Sequence, residues 1–309
     1  MLSHFSYHKK NLIISGVHCS GKSLLLSLLP AVANIDLINK NPLISNIISL
    51  HYLKKIPFES AKFLILSVLN NETYSTFKGR KINLNPSDET SLWNYSEIDM
   101  YFKRIFNTNK KKLNDKFSVF DSHDVLFFHK FWEKVINFKL INLERNPVDI
   151  IHDMYMRNFY SYKKNSYYQI TLLEEQKTLI PFYAFFDKKY FLSLSRLDKI
   201  IFITLKKLKK QEKIYKSISP SKKKNILRLY FELLKKDPEE GLKIISVFLK
   251  SKFNFDYYYK ALLRESNHGI NIEKDREKKN IFIKKNSSNS LYRQLCKASL
   301  DYESKIYNK

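Results

Sequence analysis

Eight consecutive residues near the N-terminus have the types and spacing of a phosphate-binding loop. Residues 16–23 read Gly-Val-His-Cys-Ser-Gly-Lys-Ser and fit the pattern G-x-x-x-x-G-K-[ST] at every position. Glycines let successive backbone N–H groups curl around a phosphate, the lysine adds a mobile cation, and the serine adds a hydroxyl for a phosphate oxygen or for Mg²⁺. The residues predicted to bind the phosphorylated nucleotide are Gly16, Val17, His18, Cys19, Ser20, Gly21, Lys22 and Ser23.

The use of glycine supports this interpretation. The chain has only 5 glycines, and two of them, Gly16 and Gly21, lie in this one loop. A chain that avoids glycine elsewhere needs it here for backbone conformations that other residues rarely adopt. The motif indicates phosphate or nucleotide binding, but it does not choose the reaction.

A histidine suited to proton transfer follows a second apolar segment. Residues 116–121 read Lys-Phe-Ser-Val-Phe-Asp, and Ser122 and His123 come next. At the carboxyl end of a parallel strand, His123 would project near the phosphates, where an imidazole can take a proton from an attacking hydroxyl. The alternatives are a structural histidine, or a strand end of Walker B type at which Asp121 is the working residue.

An arginine follows a third apolar segment. Arg145 comes just after residues 138–143, so it is predicted to lie at the next strand end and to face the same crevice. A guanidinium is suited to gripping a phosphate with two N–H groups. The alternative is that Arg145 pairs with a carboxylate such as Asp149 and braces the turn.

The elements that must position these groups alternate between strands and helices. Strands are predicted at 11–15, 116–121, 138–143 and 225–231. Helices are predicted at 22–29, at 125–135, from Pro147, from the cap Asp237 and at 290–307. This alternation predicts an α/β fold, with a P-loop-type parallel β-sheet flanked by helices and a helix-rich chain overall.

The intervening segments carry no motif. Residues 31–114 are predicted to be mostly helical with a loop at 83–96, residues 160–222 to be helices beside the sheet, and residues 273–286 to be a charged, mobile loop. We therefore expect one domain over residues 1–309, with helical insertions at about 31–115 and 160–222 and a C-terminal helical tail.

The strong positive charge of the chain limits the kinds of partner that it can be expected to bind. The formal charge is +25, from 55 Lys and Arg against 30 Asp and Glu, and such a charge suits nucleic acid, anionic lipid or an anionic substrate. The lysines are spread along the whole chain, with runs such as 206–210, so solvated lysine faces are favoured over a dedicated polyanion site, and no specific nucleic-acid partner is expected.

No apolar run approaches the ~20 residues of a membrane span. We expect an uncleaved cytoplasmic protein without a transmembrane segment; peripheral association with a membrane stays open.

The order of the motifs resembles that of the sulfotransferase superfamily, which uses 3′-phosphoadenosine 5′-phosphosulfate (PAPS). Members place a glycine phosphate loop after the first strand, then Thr/Ser-His at a strand end, then Arg-Asn/Asp-Pro-x-Asp, and later Tyr-Glu-Asp-Leu, Asp-Pro-Glu and a Phe-Leu helix. The corresponding segments are 15–24, Ser122-His123, Arg145-Asn-Pro-Val-Asp149, and 231–239 through Phe248-Leu249. The resemblance spans roughly residues 11–250.

This resemblance implies transfer of a sulfuryl group from PAPS to a hydroxyl or amine, without a metal. The loop 16–23 would hold the 5′-phosphosulfate end, His123 would be the base that deprotonates the acceptor, and Arg145 would bind the 3′-phosphate. The acceptor is expected to be a small molecule or a glycan, and the positive charge of the chain makes an anionic glycan conceivable.

The chain departs from the family's pattern at three places. Cys19 stands where the family has Lys or Arg, and Lys22, three positions on, is the predicted catalytic replacement beside His123. Asp153 stands where the family has a serine ligand of the 3′-phosphate, so either the chain is shifted locally or binding of the 3′-phosphate is altered. Nothing after Gly269 matches the family's Arg-Lys-Gly clamp. Other cations in that region are Arg276, Lys278, Lys279 and Arg293.

Two other functions stay open on the sequence. A Mg²⁺-dependent P-loop kinase or NTPase would use Lys22 and Ser23 on a nucleoside triphosphate and Asp121 near the metal. A basic, nucleotide-regulated binding protein with a degenerate site is the non-enzymatic alternative, because Cys19 and Asp153 depart from the family's pattern.

Overall fold

The strands predicted from the sequence lie side by side in one parallel sheet. The computed structural model describes residues 10–88, 90–95, 98, 116–161, 172–175, 178–255 and 272–307. The strands are β1 (Asn11–Ser15), β2 (Ile35–Lys40), β3 (Phe117–Asp121), β4 (Lys139–Glu144), β5 (Leu172–Glu175), β6 (Thr178–Pro181) and β7 (Ile226–Tyr230). Among the described strands, five form the central sheet in the order β2-β3-β1-β4-β7, with every neighbouring pair parallel, and β5 and β6 form a separate antiparallel hairpin.

Helices follow most strands and cover both faces of the sheet. The first group is α1 (Lys22–Leu28), α2 (Pro42–Tyr52), α3 (Phe58–Phe77), α4 (His129–Val135), α5 (Pro147–Met156) and α6 (Lys188–Ser193). The second group is α7 (Arg196–Ser217), α8 (Pro220–Lys223), α9 (Phe231–Lys236), α10 (Pro238–Leu249), α11 (Ile272–Asn286) and α12 (Asn289–Tyr307). No described helix is both long and apolar enough to cross a membrane.

Strand β1 is central because both of its faces are apolar. Leu12 and Ile14 pack with residues of α1 and α10 on one face, and Ile13 packs with residues of α2, α3 and α4 on the other. All three side chains are fully buried. A strand covered on both faces is a continuous apolar run, as Leu-Ile-Ile is, because alternate side chains enter opposite halves of the core.

The register of the sheet brings three strand ends to one edge. Ile14 of β1 lies opposite Asp121 of β3, and Ser15 lies opposite Asn142 of β4. The chain leaves β1 toward β3 and β2 on one side and later returns to β4 and β7 on the other. The phosphate loop therefore lies where the strand order reverses, which is where open parallel sheets bind their ligands.

The α/β class and four of the predicted strands are confirmed, but the prediction for residues 31–114 missed strand β2. Its sequence, Ile-Asp-Leu-Ile-Asn-Lys, does not alternate strictly between apolar and polar residues. Its pairing with β3 is irregular between Ile35 and Ile38, and the side chain of the buried Asp36 accepts a hydrogen bond from the backbone of Leu37. This edge strand is stabilised by pairing with β3, which a local pattern does not reveal.

Three other expectations about the elements were wrong. The charged segment 273–286 is not a loop but helix α11, whose Arg276 and Lys279 pair with the buried carboxylate of Asp149. The stretch 160–222 contains the β5–β6 hairpin as well as helices. The helix predicted at 125–135 begins only at His129, because the preceding residues form a turn bonded to β1. The division into one domain with two insertions stays a prediction.

Candidate functional site

The two glycines of loop 16–21 are required by their neighbours. Gly21 has a φ of 92°, and a Cβ atom there would lie 2.1 Å from a ring carbon of Phe231. A Cβ atom on Gly16 would lie 2.5 Å from the carbonyl oxygen of Leu143. Any side chain at either position would collide with an adjacent strand end, so the loop is packed tightly onto the ends of β4 and β7.

Cys19 adopts a left-handed backbone conformation in the middle of the loop, with a φ of 61°. Its carbonyl oxygen accepts a hydrogen bond of 2.8 Å from Nη1 of Arg145. Burial raises the pKa of the Cys19 thiol to about 11, so this side chain is uncharged near neutral pH. Cys19 therefore does not supply the cation that the resembled family has at this position.

Lys22 is buried at the end of the loop and faces the tip of β3. Its ammonium contacts Nδ1 of His123, lies 3.5 Å from Nε2 of the same ring, and lies 3.8 Å from Oδ1 of Asp121. Burial lowers the pKa of Lys22, and the carboxylates of Asp121 and Asp124 oppose that effect. The lysine is thus held between an imidazole and a carboxylate.

A second imidazole lies against His123. The rings of His18 and His123 are stacked with centroids 3.9 Å apart and planes inclined by 9°. The ring of His18 also meets Phe159 edge-on, with centroids 5.6 Å apart. The loop and the tip of β3 therefore contribute one histidine each to a single stacked pair.

The turn that carries His123 is fastened to β1 by its backbone. The N–H groups of Ser122 and Asp124 donate to the carbonyl oxygens of Ile14 and Gly16, at 3.1 and 3.3 Å. The N–H of Val125 donates to Oγ of Ser15 at 2.9 Å. These three bonds fix the turn relative to the loop, so the position of His123 is set by the first strand.

Asp124, the residue after His123, anchors the turn from the other side. It is fully buried and has a φ of 56°. Its carboxylate pairs with Nζ of Lys207 at 2.8 Å and accepts hydrogen bonds from the hydroxyl of Tyr183 at 2.5 Å and from Nε2 of Gln211 at 3.3 Å. The ammonium of Lys207 also lies 3.9 Å from the centroid of the Tyr183 ring.

Sequence reasoning missed this buried network. Lys207 lies in the lysine run 206–210, which was interpreted as a solvated face, but its side chain is only 3% exposed. A signal was present, because Ile200, Ile203 and Thr204 lead at helical spacing to Lys207 and Gln211, and all of them are buried on one face of α7. A lysine on an otherwise apolar helical stripe requires a buried carboxylate as its partner.

Arg145 reaches the loop as predicted from its strand end, but it is already paired. Besides its bond to Cys19, Nη1 donates to Oδ2 of Asp153 at 2.7 Å, and the guanidinium lies 4.6 Å from the centroid of the Phe231 ring. Arg145 therefore forms the bracing ion pair of the alternative interpretation, but with Asp153 and not with Asp149. Asp149 instead pairs with Arg276 and Lys279 of α11.

The predicted site residues thus fall into two groups. His123 contacts both His18 and Lys22, and Arg145 contacts the loop residue Cys19 and Asp153 of α5 in a second cluster. Ser23 is exposed at the rim. Within the described part of the chain, no group of three or more His, Cys, Asp or Glu side chains could hold a metal ion.

Several buried polar atoms around the loop have no hydrogen-bond partner among the residues that the structure describes. Within the described residues, neither ring nitrogen of His18 is hydrogen-bonded, nor are the hydroxyls of Ser20 and Ser122. Buried polar atoms of native proteins are nearly always paired, and leaving one unpaired costs about 1–3 kcal/mol. Because these atoms belong to the loop that carries Lys22 and to the tip of β3 that Lys22 contacts, they suit a ligand that is anionic and rich in oxygen.

The stacked histidines open onto a small cavity. Its lining is aromatic and apolar apart from the histidines, one serine and one tyrosine hydroxyl. The lining residues are His18, Ser45, Ile48, His123, Phe128, Phe182 and Tyr183. The cavity volume of about 10 Å³ is no more than one water molecule requires, so aromatic rings shield this side of His123 from solvent.

Sheet order, loop and strand-end side chains together define a P-loop α/β protein. In structure the chain is similar to sulfotransferases. The sulfotransferase domain of the Synechococcus PCC 7002 olefin synthase is 12% identical, with 97% of both chains covered and a TM-score of 0.45. A sulfotransferase from Alicyclobacillus acidocaldarius is 14% identical, with 93% of this chain and 94% of that chain covered and a TM-score of 0.40. Mouse sulfotransferase SULT7A1, solved with PAP, is 13% identical, with 94% and 82% covered and a TM-score of 0.41.

At TM-scores below 0.5 and identities of 12–14%, these similarities do not decide the activity. No family model matches the chain, and no curated protein sequence matches it. The functional argument therefore rests on the residues of the site.

Proposed function

We propose that the protein is a sulfotransferase that moves a sulfuryl group from PAPS to a hydroxyl or amine. The observation that carries this proposal is the contact between Lys22 and His123 at the mouth of the phosphate loop. It places a cation suited to a leaving phosphate directly beside an imidazole suited to an attacking hydroxyl.

The loop fits the 5′-phosphosulfate end of the donor. Lys22 offers a charge, and the buried hydroxyls of Ser20 and Ser122 offer hydrogen bonds that no protein group uses in the described part of the chain. PAPS supplies an activated sulfuryl group on a phosphate that is a good leaving group. The role of Lys22 is to stabilise negative charge on that phosphate, which an uncharged Cys19 does not do.

His123 takes the proton from the acceptor, but its contact with Lys22 must first be broken. A charged ammonium can only donate, so Lys22 occupies Nδ1 and leaves the ring proton on Nε2. A ring in that state has no nitrogen available as a base. An anion in the loop that draws the ammonium of Lys22 away frees Nδ1, so the base becomes available when the donor is bound.

The transfer step forms one bond, breaks one bond and moves one proton. The acceptor oxygen forms a bond to sulfur as the bond between sulfur and the phosphate oxygen breaks, and the acceptor proton goes to the freed nitrogen of His123. Phe128, Phe182 and Tyr183 line the small cavity beside His123, and aromatic rings there would limit access of water, which would otherwise compete as the acceptor.

The 3′-phosphate end fits less well. Arg145 is the predicted ligand, but Asp153 holds its Nη1 and would repel a phosphate. Binding of a 3′-phosphate to Arg145 therefore requires the pair to separate. If the Arg145–Asp153 pair stays intact, adenosine 5′-phosphosulfate, which lacks that phosphate, is expected to be the better donor.

The kinase alternative gains no specific support. It requires Asp121 and Ser23 near Mg²⁺, whereas Oδ1 of Asp121 faces the ammonium of Lys22 and Ser23 is exposed. The non-enzymatic alternative predicts strong polyanion binding with steep salt dependence and no turnover. Both alternatives give results different from those of a sulfotransferase in a single set of binding measurements.

The test is calorimetric binding of PAP, PAPS and ATP to the full chain, each with and without Mg²⁺, followed by transfer assays with labelled PAPS. The acceptors are a panel of phenols, alkyl alcohols, amines and desulfated glycans. Metal-independent binding of PAP and transfer to one class of acceptor are expected. Binding of ATP that requires Mg²⁺, with no affinity for PAP, would refute the proposal and favour a kinase.

A further inference from the structure

His18 carries unused hydrogen-bonding capacity in a place where it is unusual. Its side chain is 7% exposed, and both ring nitrogens are buried without a hydrogen-bond partner among the described residues. A histidine that served only to fill space would be replaceable by an apolar ring without the penalty of a buried polar atom. The loop nevertheless places an imidazole at this position.

Packing alone holds the His18 ring in place. One face is stacked on His123, and Phe159 meets the ring edge-on. Both histidines line the same small cavity. The orientation of His18 is therefore set before any ligand arrives, and a group bound at the loop beside His123 would lie next to the His18 ring.

The charge state of His18 follows from its surroundings. Burial is the main cause that lowers the pKa of His18 well below its usual value, and the neighbouring His123, Lys207 and Lys22 lower it further. The ring is neutral at physiological pH, with one N–H that donates and one nitrogen that accepts. A neutral donor adds a hydrogen bond without placing a further cation beside Lys22.

We propose that the ring N–H of His18 donates a hydrogen bond to an oxygen of the sulfuryl group in transfer. This inference rests on the proposed function. Lys22 keeps the role of the cation on the leaving phosphate, and His18 adds a neutral donor toward the sulfuryl oxygen. No bond to His18 forms or breaks, and the acceptor proton still goes to His123.

The test compares ligands that differ only by the sulfuryl group. His18→Phe keeps an aromatic ring for stacking on His123 and removes both nitrogens, and His18→Asn keeps an N–H donor without the ring. Wild type and both variants are titrated with PAP and with PAPS by calorimetry. His51→Phe, an imidazole replacement remote from the loop, is the matched control, and thermal unfolding verifies that each variant is folded.

We expect His18→Phe to bind PAP as wild type does but to lose about 10-fold or more in affinity for PAPS, since a hydrogen bond to an anionic oxygen is lost. His18→Asn should recover part of that loss. In wild type labelled with ¹⁵N-histidine, the His18 N–H signal should become protected from exchange with PAPS and not with PAP.

Each contrary result has a separate meaning. Equal losses for PAP and PAPS in His18→Phe would show that His18 only shapes the loop, and unchanged affinities would show that it has no role; either overturns this inference alone. Wild type without affinity for PAP or PAPS would overturn the proposed function and this inference together.

Discussion

The ammonium of Lys22 contacts Nδ1 of His123, 101 residues further along the chain. The lysine comes from the end of the phosphate loop and the histidine from the tip of the neighbouring strand β3. Lys22 is predicted to act on the leaving phosphate and His123 on the acceptor, so their contact couples the two groups before any substrate binds. The same ammonium also faces Oδ1 of Asp121. Removing one partner should therefore change the state of the other.

Replacing Lys22 should affect both transfer and the state of His123. Lys22→Met removes the cation near the leaving phosphate, so transfer should fall by about 10²–10³-fold, the range for losing one such stabilising group. Transfer from labelled PAPS measures this loss. In the ligand-free variant the ¹⁵N signals of His123 should shift, because its Nδ1 loses its donor. Lys55→Met, at an exposed lysine, is the control. Transfer at the wild-type rate in Lys22→Met would remove the lysine from the mechanism.

Removing the base should separate binding from chemistry. His123→Ala should retain affinity for PAP within a small factor and lose transfer by about 10²–10⁴-fold, the usual contribution of a general base. Calorimetry and single-turnover transfer measure the two quantities, and His51→Ala is the control. If transfer persists in His123→Ala, the base lies elsewhere.

The Arg145–Asp153 pair predicts a gain of affinity on mutation. Asp153→Ser removes the carboxylate that holds Nη1 of Arg145 and supplies a hydroxyl, so the affinity for PAP should rise by about 10-fold or more. Binding of adenosine 5′-monophosphate, which has no 3′-phosphate, should stay unchanged and serves as the control. A parallel change for both ligands would place Arg145 away from the 3′-phosphate.

The buried pair of Asp124 and Lys207 should behave as a unit in unfolding experiments. Asp124→Asn or Lys207→Met alone leaves an uncompensated buried charge or polar group, and each should lower the free energy of unfolding by about 3–5 kcal/mol. The double variant should lose less than the sum of the two single losses. Urea unfolding of wild type, the two single variants and the double variant gives the coupling free energy between Asp124 and Lys207. Strictly additive losses of unfolding free energy would argue against a direct interaction.

Stability should fall as the pH is lowered below about 6.5. Burial lowers the pKa of both His18 and His129, so the unfolded chain takes up protons at these residues at a pH where the folded protein does not. The unfolded state then binds more protons, and the free energy of unfolding decreases by up to about 1.4 kcal/mol per pH unit for each histidine. Urea unfolding between pH 7 and pH 5 tests this, and His18→Phe should flatten the dependence. An identical slope in that variant would contradict a buried neutral His18.

Local segments of the sequence were sufficient to predict the site's framework. The loop motif, the apolar runs of β1, β3 and β4 and the proline at the start of α5 are signals carried by consecutive residues. Backbone conformation and burial follow directly from such signals. Strand β2 was missed because its residues do not alternate strictly between apolar and polar, and helix α11 because its composition is charged. Both are stabilised by neighbours, β2 by β3 and α11 by the carboxylate of Asp149.

The sequence by itself determined that a phosphate loop follows a buried strand and that His123 and Arg145 come just after later strands. Only the tertiary structure decided which side chains meet: Lys22 with His123, His18 stacked on the same ring, Arg145 with Asp153, and Asp124 with Lys207 across 83 residues. The physical reason is that the loop depends on local backbone geometry, whereas these pairings depend on strand order, on register and on which helix covers which strand end. A lysine in a charged run looks solvated until packing places it against a buried carboxylate.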